Sequence, residues 1–181
     1  MRVRPNSRNK CIAYLNEESK CLRCLGHYRE AIAQAQEALV LAKKSPPDLQ
    51  RQGDALGNLG CIYRQRGELD RAEKSLMRSF TIGEELDNPQ QIASSLINLG
   101  ELYQQRRELN RAENCCKQIL SMKERMNTPH YVANCSNNLG EVYWRRGKSN
   151  QAKDYYKQSL ALREEIGNLQ EIAESRYQLI R

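Results

Sequence analysis

The chain has 181 residues, 39% of them hydrophobic, which is enough for a core and too little for a membrane protein; no stretch approaches the ~18–20 consecutive apolar residues of a spanning helix. Lys and Arg outnumber Asp and Glu by 29 to 22, a net charge of +7 that favours acidic partners only weakly because the signs are interspersed. Seven cysteines, an odd number, with no apolar stretch behind the basic first ten residues, argue against a secreted disulfide framework and for reduced thiols in a soluble, cytoplasmic protein.

Residues 1–9 form a basic arm. Arg2, Arg4, Arg8 and the following Lys10 have no acid among them. Two readings stand for it: a solvated arm, or contact with nucleic acid phosphates. Residues 10–52 then carry a divergent helix pair. The first helix includes Ile12, Leu15 and Leu22. The second runs from about Tyr28 to Lys43 and closes at Ser45-Pro46-Pro47. Cys11, Cys21, Cys24 and His27 have metal-ligand residue types, but Cys21 and Cys24 fall inside a helix, where small apolar cysteine packs well, so core packing is expected and not zinc.

The next three segments, 53–92, 93–132 and 133–172, are copies of one another. Leu59-Gly60, Leu99-Gly100 and Leu139-Gly140 recur at intervals of 40 residues. Each glycine is followed by a tyrosine (Tyr63, Tyr103, Tyr143) and, further on, by an alanine (Ala72, Ala112, Ala152). Each copy reads as two helices. Asn88-Pro89 and Thr128-Pro129 have the form of an N-cap and a first-turn proline. Breaks follow at Gly67, Arg107 and Gly147. The second helices carry Ala72, Leu76 and Phe80, or Ala152, Tyr156 and Leu160, at helical spacing, and end near Leu86, Met126 and Ile166. A glycine inside a helix costs ~1 kcal/mol relative to alanine. Three in phase point to a close crossing by the second helix, with the alanine as the other half of the contact. Cys116 shares the phase of Leu76 and Tyr156 and is expected in the core. Residues 173–181 begin a further first helix, either a cap or the start of another repeat. Nothing reads as a strand.

The Leu–Gly–Tyr–Ala pattern resembles the tetratricopeptide repeat. The 40-residue period resembles its long-helix varieties in kinesin light chains, Pins-type adaptors and bacterial signalling regulators; HEAT repeats share the period but not this spacing. The resemblance covers about residues 10 to 181. It implies an all-α, right-handed superhelical solenoid of helix hairpins, with the first helices lining a concave groove.

On each first helix the face turned away from the partner helix is polar. It holds Asp54, Asn58, Cys61 and Gln65, then Ser94, Asn98, Glu101 and Gln105, then Asn134, Asn138, Glu141 and Arg145. A carboxamide both donates and accepts, so Asn58, Asn98 and Asn138 suit a peptide backbone. Asparagine ladders have that role in related grooves, and the resemblance implies it here. The alternative is that the asparagines tie adjacent helices together. Trp144 is either a groove anchor or packed against the next repeat. The second repeat has Ser94 and Asn98 where a carboxylate clamp carries basic residues, so such a clamp is not expected.

Of only two histidines, His130 lies just after a helix-starting proline with no Cys–His or Ser–His arrangement near it, and there is no phosphate loop or HExxH pattern. The sequence therefore predicts a non-catalytic module, without cofactor or metal, that binds a protein or peptide. Nucleic acid is an unlikely partner, because the groove lacks a basic stripe and stacking aromatics. A peptide-sensing domain of a signalling regulator is the other alternative, and self-association through the end repeats is left open.

Overall fold

A computed structural model describes residues 5–44, 46–126 and 128–180. Arg2, Arg4, Ser45, Asn127 and Arg181, on which parts of the sequence reading rest, lie outside them. The described residues are α-helical with short turns, in the order α1 (Pro5–Cys24), α2 (Tyr28–Lys43), α3 (Leu49–Gln65), α4 (Leu69–Glu85), α5 (Pro89–Gln105), α6 (Leu109–Ser121), α7 (Lys123–Met126), α8 (Pro129–Arg145), α9 (Ser149–Ile166) and α10 (Leu169–Ile180). No strand occurs among them. Two compact units divide the chain, residues 1–98 and 99–181.

Local chemistry sets the helix ends. The Asp48 side chain accepts the Arg51 amide at 3.0 Å and caps α3. Asn88 accepts the Gln91 amide at 3.1 Å ahead of Pro89, and Thr128 precedes Pro129 without a side-chain cap bond. Pro5 opens α1, so residues 5–9 of the expected arm are helical, and Arg8 donates to the carbonyls of Lys44 and Pro46. The first helices end in a tight turn. Glu68 N–H reaches Tyr63 C=O, Glu108 reaches Tyr103 and Lys148 reaches Tyr143, each across one residue of positive φ. Glycine supplies that conformation at Gly67 and Gly147, but Arg107 holds it with φ 62°.

In the first unit, α1 packs on α2, α2 on α3 and α3 on α4. Four fully buried alanines, Ala31, Ala35, Ala38 and Ala42, give α2 a thin inner face that admits close neighbours. Ile12, Leu15, Ala38, Ala42 and Ala55 form one apolar cluster with Leu39 and Leu41 against it. Ser19 occupies the glycine phase of the divergent repeat and donates to Ala31 C=O at 2.8 Å. Cys21 and Cys24 are exposed on α1, not in the core as the sequence suggested.

In the second unit, α8 packs on α9, α6 on α8 and α10 on α9. Cys116 is buried as expected. Met122 interrupts the second helix of this repeat at φ −102°, ψ 2°, with its N–H bonded to Ile119 C=O, so α6 stops at Ser121 and not near Met126. The two units repeat one bond between paired helices: Ser79 Oγ donates to Gly53 C=O at 2.8 Å, and Ser159 Oγ to Ala133 C=O at 2.9 Å.

The repeat glycines sit at the crossings, and the expected alanines are close by, with Ala72 O 3.4 Å from a Cβ on Gly60 and Ala112 O 3.8 Å from one on Gly100, but a side chain comes closer still. A Cβ on Gly60 would lie 2.5 Å from Leu76, and one on Gly140 would lie 2.5 Å from the Tyr156 ring. At Gly100 the nearest atoms are 3.7 Å away or more, an ordinary contact. The side chain one turn beyond the alanine therefore sets the space.

Arg107 has a direct energetic consequence. A left-handed residue with a Cβ costs about 1 kcal/mol or more, which glycine does not incur. Arg107→Gly is expected to raise stability by roughly 0.5–1 kcal/mol, read as a higher unfolding midpoint in urea.

Candidate functional site

The polar faces of the first helices are built by the helical period. In α3 it exposes Asp54 and Gln65 and half-buries Asn58 and Cys61. Asn58 Nδ2 donates to Asn16 C=O of α1 at 3.3 Å, with Asn16 Oδ1 at 3.5 Å. On α5, Asn98 Nδ2 returns to Ser94 C=O at 2.8 Å, while its oxygen accepts the Cys61 thiol at 3.0 Å. Within the first unit, therefore, both asparagines take part in helix contacts.

The second unit surrounds its asparagine differently. Asn138 on α8 is only 8% exposed. Its backbone carbonyl accepts Gln104 Nε2 at 3.4 Å, but its own amide nitrogen is buried without a hydrogen-bond partner. Around it, Glu141 binds Arg145 Nε at 2.7 Å through one oxygen and accepts Tyr156 O–H at 3.1 Å through the other. Arg145 Nη1 also donates to Gln104 C=O at 2.7 Å. Glu101 and Trp144 are half-buried and Gln105 is exposed. Glu141 and Arg145, expected as ligand groups, thus hold each other and neighbouring helices. A buried donor left unsatisfied costs about 1–3 kcal/mol, and Asn138 alone of the ladder has that character.

Two networks that spacing alone did not reveal support these faces. Arg71 stacks over the Tyr63 ring at 4.1 Å, bonds its hydroxyl at 2.8 Å and pairs with Glu68 at 2.6 Å. Arg111 does the same with Tyr103 and Glu108, at 3.9, 2.6 and 2.7 Å. In the repeat of residues 133–172 Gln151 replaces that arginine, and Tyr143 instead stacks on Tyr155 at 5.3 Å and donates to Glu113 at 3.2 Å. The in-phase Tyr and Arg were the available signal.

Glu113 is the hub of the second network. Lys117 at 2.8 Å and Arg146 at 2.6 Å hold its carboxyl at about 2, well below the usual range. A lowered pKa means that the stabilisation is complete above about 4.5 and is lost as pH falls from there towards 2. Glu113→Gln is expected to cost about 1–2 kcal/mol at pH 7. The gap between variant and wild-type unfolding midpoints should close as the pH approaches 2.

Cys115 and Cys116 are buried in an environment that disfavours the thiolate. Burial pushes the Cys115 thiol up to about 12, and the Cys135 hydrogen bond and burial push Cys116 higher still. Both stay protonated at neutral pH, which removes the reactive thiolate.

Paired antiparallel helices repeated in register, each first helix presenting a polar face, define a helical-repeat protein. A family model for the tetratricopeptide repeat matches residues 10–85 and 91–165, and the chain belongs to that family, whose repeats are generally protein-interaction modules. No curated protein matches the sequence. Among solved structures, BtubC (BKLC) from P. vanneervenii is 19% identical with a TM-score of 0.76, over 96% of this chain and 79% of that one. Aspartyl phosphate phosphatase F from Bacillus subtilis is 14% identical with a TM-score of 0.85, over 94% of this chain and 45% of that one. A signal transduction ATPase with numerous domains and a tetratricopeptide repeat sensor, from Pyrococcus horikoshii, is 17% identical with a TM-score of 0.76, over 91% of this chain and 25% of that one. These likenesses establish the all-α solenoid fold. The chain spans less than half the length of the last two. No described helix is long and apolar enough to cross a membrane.

Proposed function

We propose that the chain is a non-catalytic interaction module of the cytoplasm that holds a peptide segment of a partner protein against the polar faces of its first helices. Asn58, Asn98 and Gln65 serve in the first unit, and Asn138, Glu101, Gln105, Glu141, Arg145 and Trp144 in the second. The observation that carries the reading is the Asn138 amide, buried and without a partner. A backbone carbonyl of an extended peptide is the acceptor that would satisfy it once the Asn138 side chain turns outward, at the same phase where the ladder presents Asn58 and Asn98. Glu141 and Arg145, already fixed by their neighbours, would then act as a rigid polar frame. Rigidity limits the entropy lost on binding.

The test is affinity capture from the native lysate with wild type and with Asn138→Ala. The variant removes a buried unsatisfied donor, so it should be at least as stable as wild type, which a urea titration checks. A protein partner bound by wild type should be lost or weakened about tenfold in the variant. Equal capture by both proteins would contradict the assignment of Asn138.

A further inference from the structure

Like the turn after α8, which carries Arg146 and Lys148 with no acid, the turn between α5 and α6 is more basic than the turn between α3 and α4. Residues 66–71 set Arg66 and Arg71 against Glu68 and Asp70 and are neutral. Residues 106–111 hold Arg106, Arg107 and Arg111 against Glu108 alone, because Arg replaces Gly and Asn110 replaces Asp. Arg107, Arg111 and Asn110 line a shallow, open depression of about 430 Å³ together with Glu108, Leu109 and Arg146 of the segment following α8. Arg146 donates to Asn110 Oδ1 at 2.6 Å, which fixes the floor. Arg111 and Arg146 are already paired with Glu108 and Glu113. The exposed Arg107 side chain has no ion pair or hydrogen bond among the described residues.

Arg107 is also the residue with the least conformational reason to be there. It stands at φ 62°, where Gly67 and Gly147 stand in the neighbouring repeats. Aspartate tolerates this region far better than a long side chain does, so Asp87 is less anomalous. A strained residue held against the local preference is a pointer to function. Here the strain delivers an unpaired guanidinium into a hollow that two further arginines border. A planar fork with free donors suits carboxylates, which it engages two bonds at a time.

We propose that this depression is a second contact surface of the module, one that docks a carboxylate-rich acidic segment of a partner protein on Arg107. It is separate from the asparagine face and lies wholly within the second unit. The partner's carboxylates pair with Arg107 and draw on the remaining field of Arg106, Arg111 and Arg146. Such a contact acts mainly on encounter and specificity, and salt weakens it.

The test measures fluorescence anisotropy of a labelled oligoglutamate peptide at low and physiological NaCl, with an oligodeoxythymidine of equal charge in a parallel arm. Arg107→Gly fits the turn backbone, so loss of fold does not obscure the reading. It should weaken peptide binding about fivefold, and Arg107→Lys should restore part of the loss. Arg29→Gln removes the same charge from exposed α2 and should change little. Failure of wild type to bind the peptide at low salt would overturn the proposal. So would equal losses in the Arg107 and Arg29 variants, which would make the effect one of net charge. Tighter binding of the oligonucleotide with the same dependence on Arg107 would overturn the acidic-protein assignment in favour of nucleic acid.

Discussion

Gly140→Ala lowers the stability of the protein by about 2 kcal/mol, while the same change at Gly100 raises it by about 0.5–1 kcal/mol. Both substitutions gain the helix preference of alanine over glycine, ~1 kcal/mol. They differ in what the new methyl meets. At Gly140 it would sit 2.5 Å from the Tyr156 ring. That ring is 2% exposed and its hydroxyl is bonded to Glu141, so it has nowhere to move. Overpacking a rigid core costs typically about 1–3 kcal/mol or more, which outweighs the propensity gain. Gly60→Ala, against fully buried Leu76, should behave like Gly140→Ala with a smaller loss, since an aliphatic end adapts more readily than a ring. At Gly100 the nearest atom is Cys115 Cβ at 3.7 Å, so the methyl fits and the propensity term stands alone. Urea unfolding of the three variants checks the order. Equal destabilisation at all three positions would mean that the helix crossings are alike, contrary to the structure.

Arg163→Leu should detach α10 from α9. Arg163 is 4% exposed, one of the rare arginines buried in a core. Its guanidinium donates to Ser175 Oγ at 2.7 Å, to Glu171 C=O at 3.1 Å and to Asn134 Oδ1 at 3.1 Å. The Glu171 carboxylate lies 3.3 Å from Nε and the Glu174 carboxylate 3.7 Å from Nη1. One side chain thus joins α8, α9 and α10. α10 has little apolar contact to replace it: Leu169, Tyr177 and Ile180 are 81%, 64% and 86% exposed. Removing one partner of a buried ion pair costs about 3–5 kcal/mol where the other is also buried. The two glutamates here are partly exposed, which reduces the expected loss to about 2–3 kcal/mol. The loss should be local. Hydrogen exchange should show amides 169–180 losing protection while α3 and α4 keep theirs. Retained protection in α10 would show that apolar packing holds it.

The periodicity made the fold legible. Leu, Gly, Tyr and Ala recur in phase because each has one packing task per repeat, and a task that repeats is visible without coordinates. The turns were legible for the same reason: Gly67, Arg107 and Gly147 all take positive φ. What periodicity cannot convey is what occupies the other side of a contact. It paired each repeat glycine with the alanine further on, whose carbonyl does lie beside Gly60 and Gly100, but Leu76 and Tyr156 come closest and fill the space, and a change from Leu to Cys116 leaves Gly100 with room. It also made Asn58, Asn98 and Asn138 look equivalent. Their surroundings differ because Asn16 lies beside the first, Cys61 beside the second, and no acceptor beside the third. Cys21 and Cys24 were assigned to the core by residue type, but they fall on the exposed side of α1. Arg163 gave no signal, since it stands in phase with Gly83 and Lys123 and an arginine near a helix end reads as solvated. Glu171 and Glu174 on the next helix were the available clue. The ion pairs of Arg163 and of Glu113 do not recur from one repeat to the next, and a comparison of repeats with one another misses them.

Peptide binding at the asparagine faces is best tested by selection of binding peptides from a displayed random library. It is followed by calorimetric titration of the best peptide into wild type and into the Asn58→Ala/Asn98→Ala/Asn138→Ala variant. Circular dichroism and urea unfolding would establish that the variant keeps its helices. The expected result is a peptide that binds wild type and loses tenfold or more in affinity for the folded triple variant. A peptide bound equally by both proteins would place binding away from the asparagine faces and leave the ladder a purely structural device.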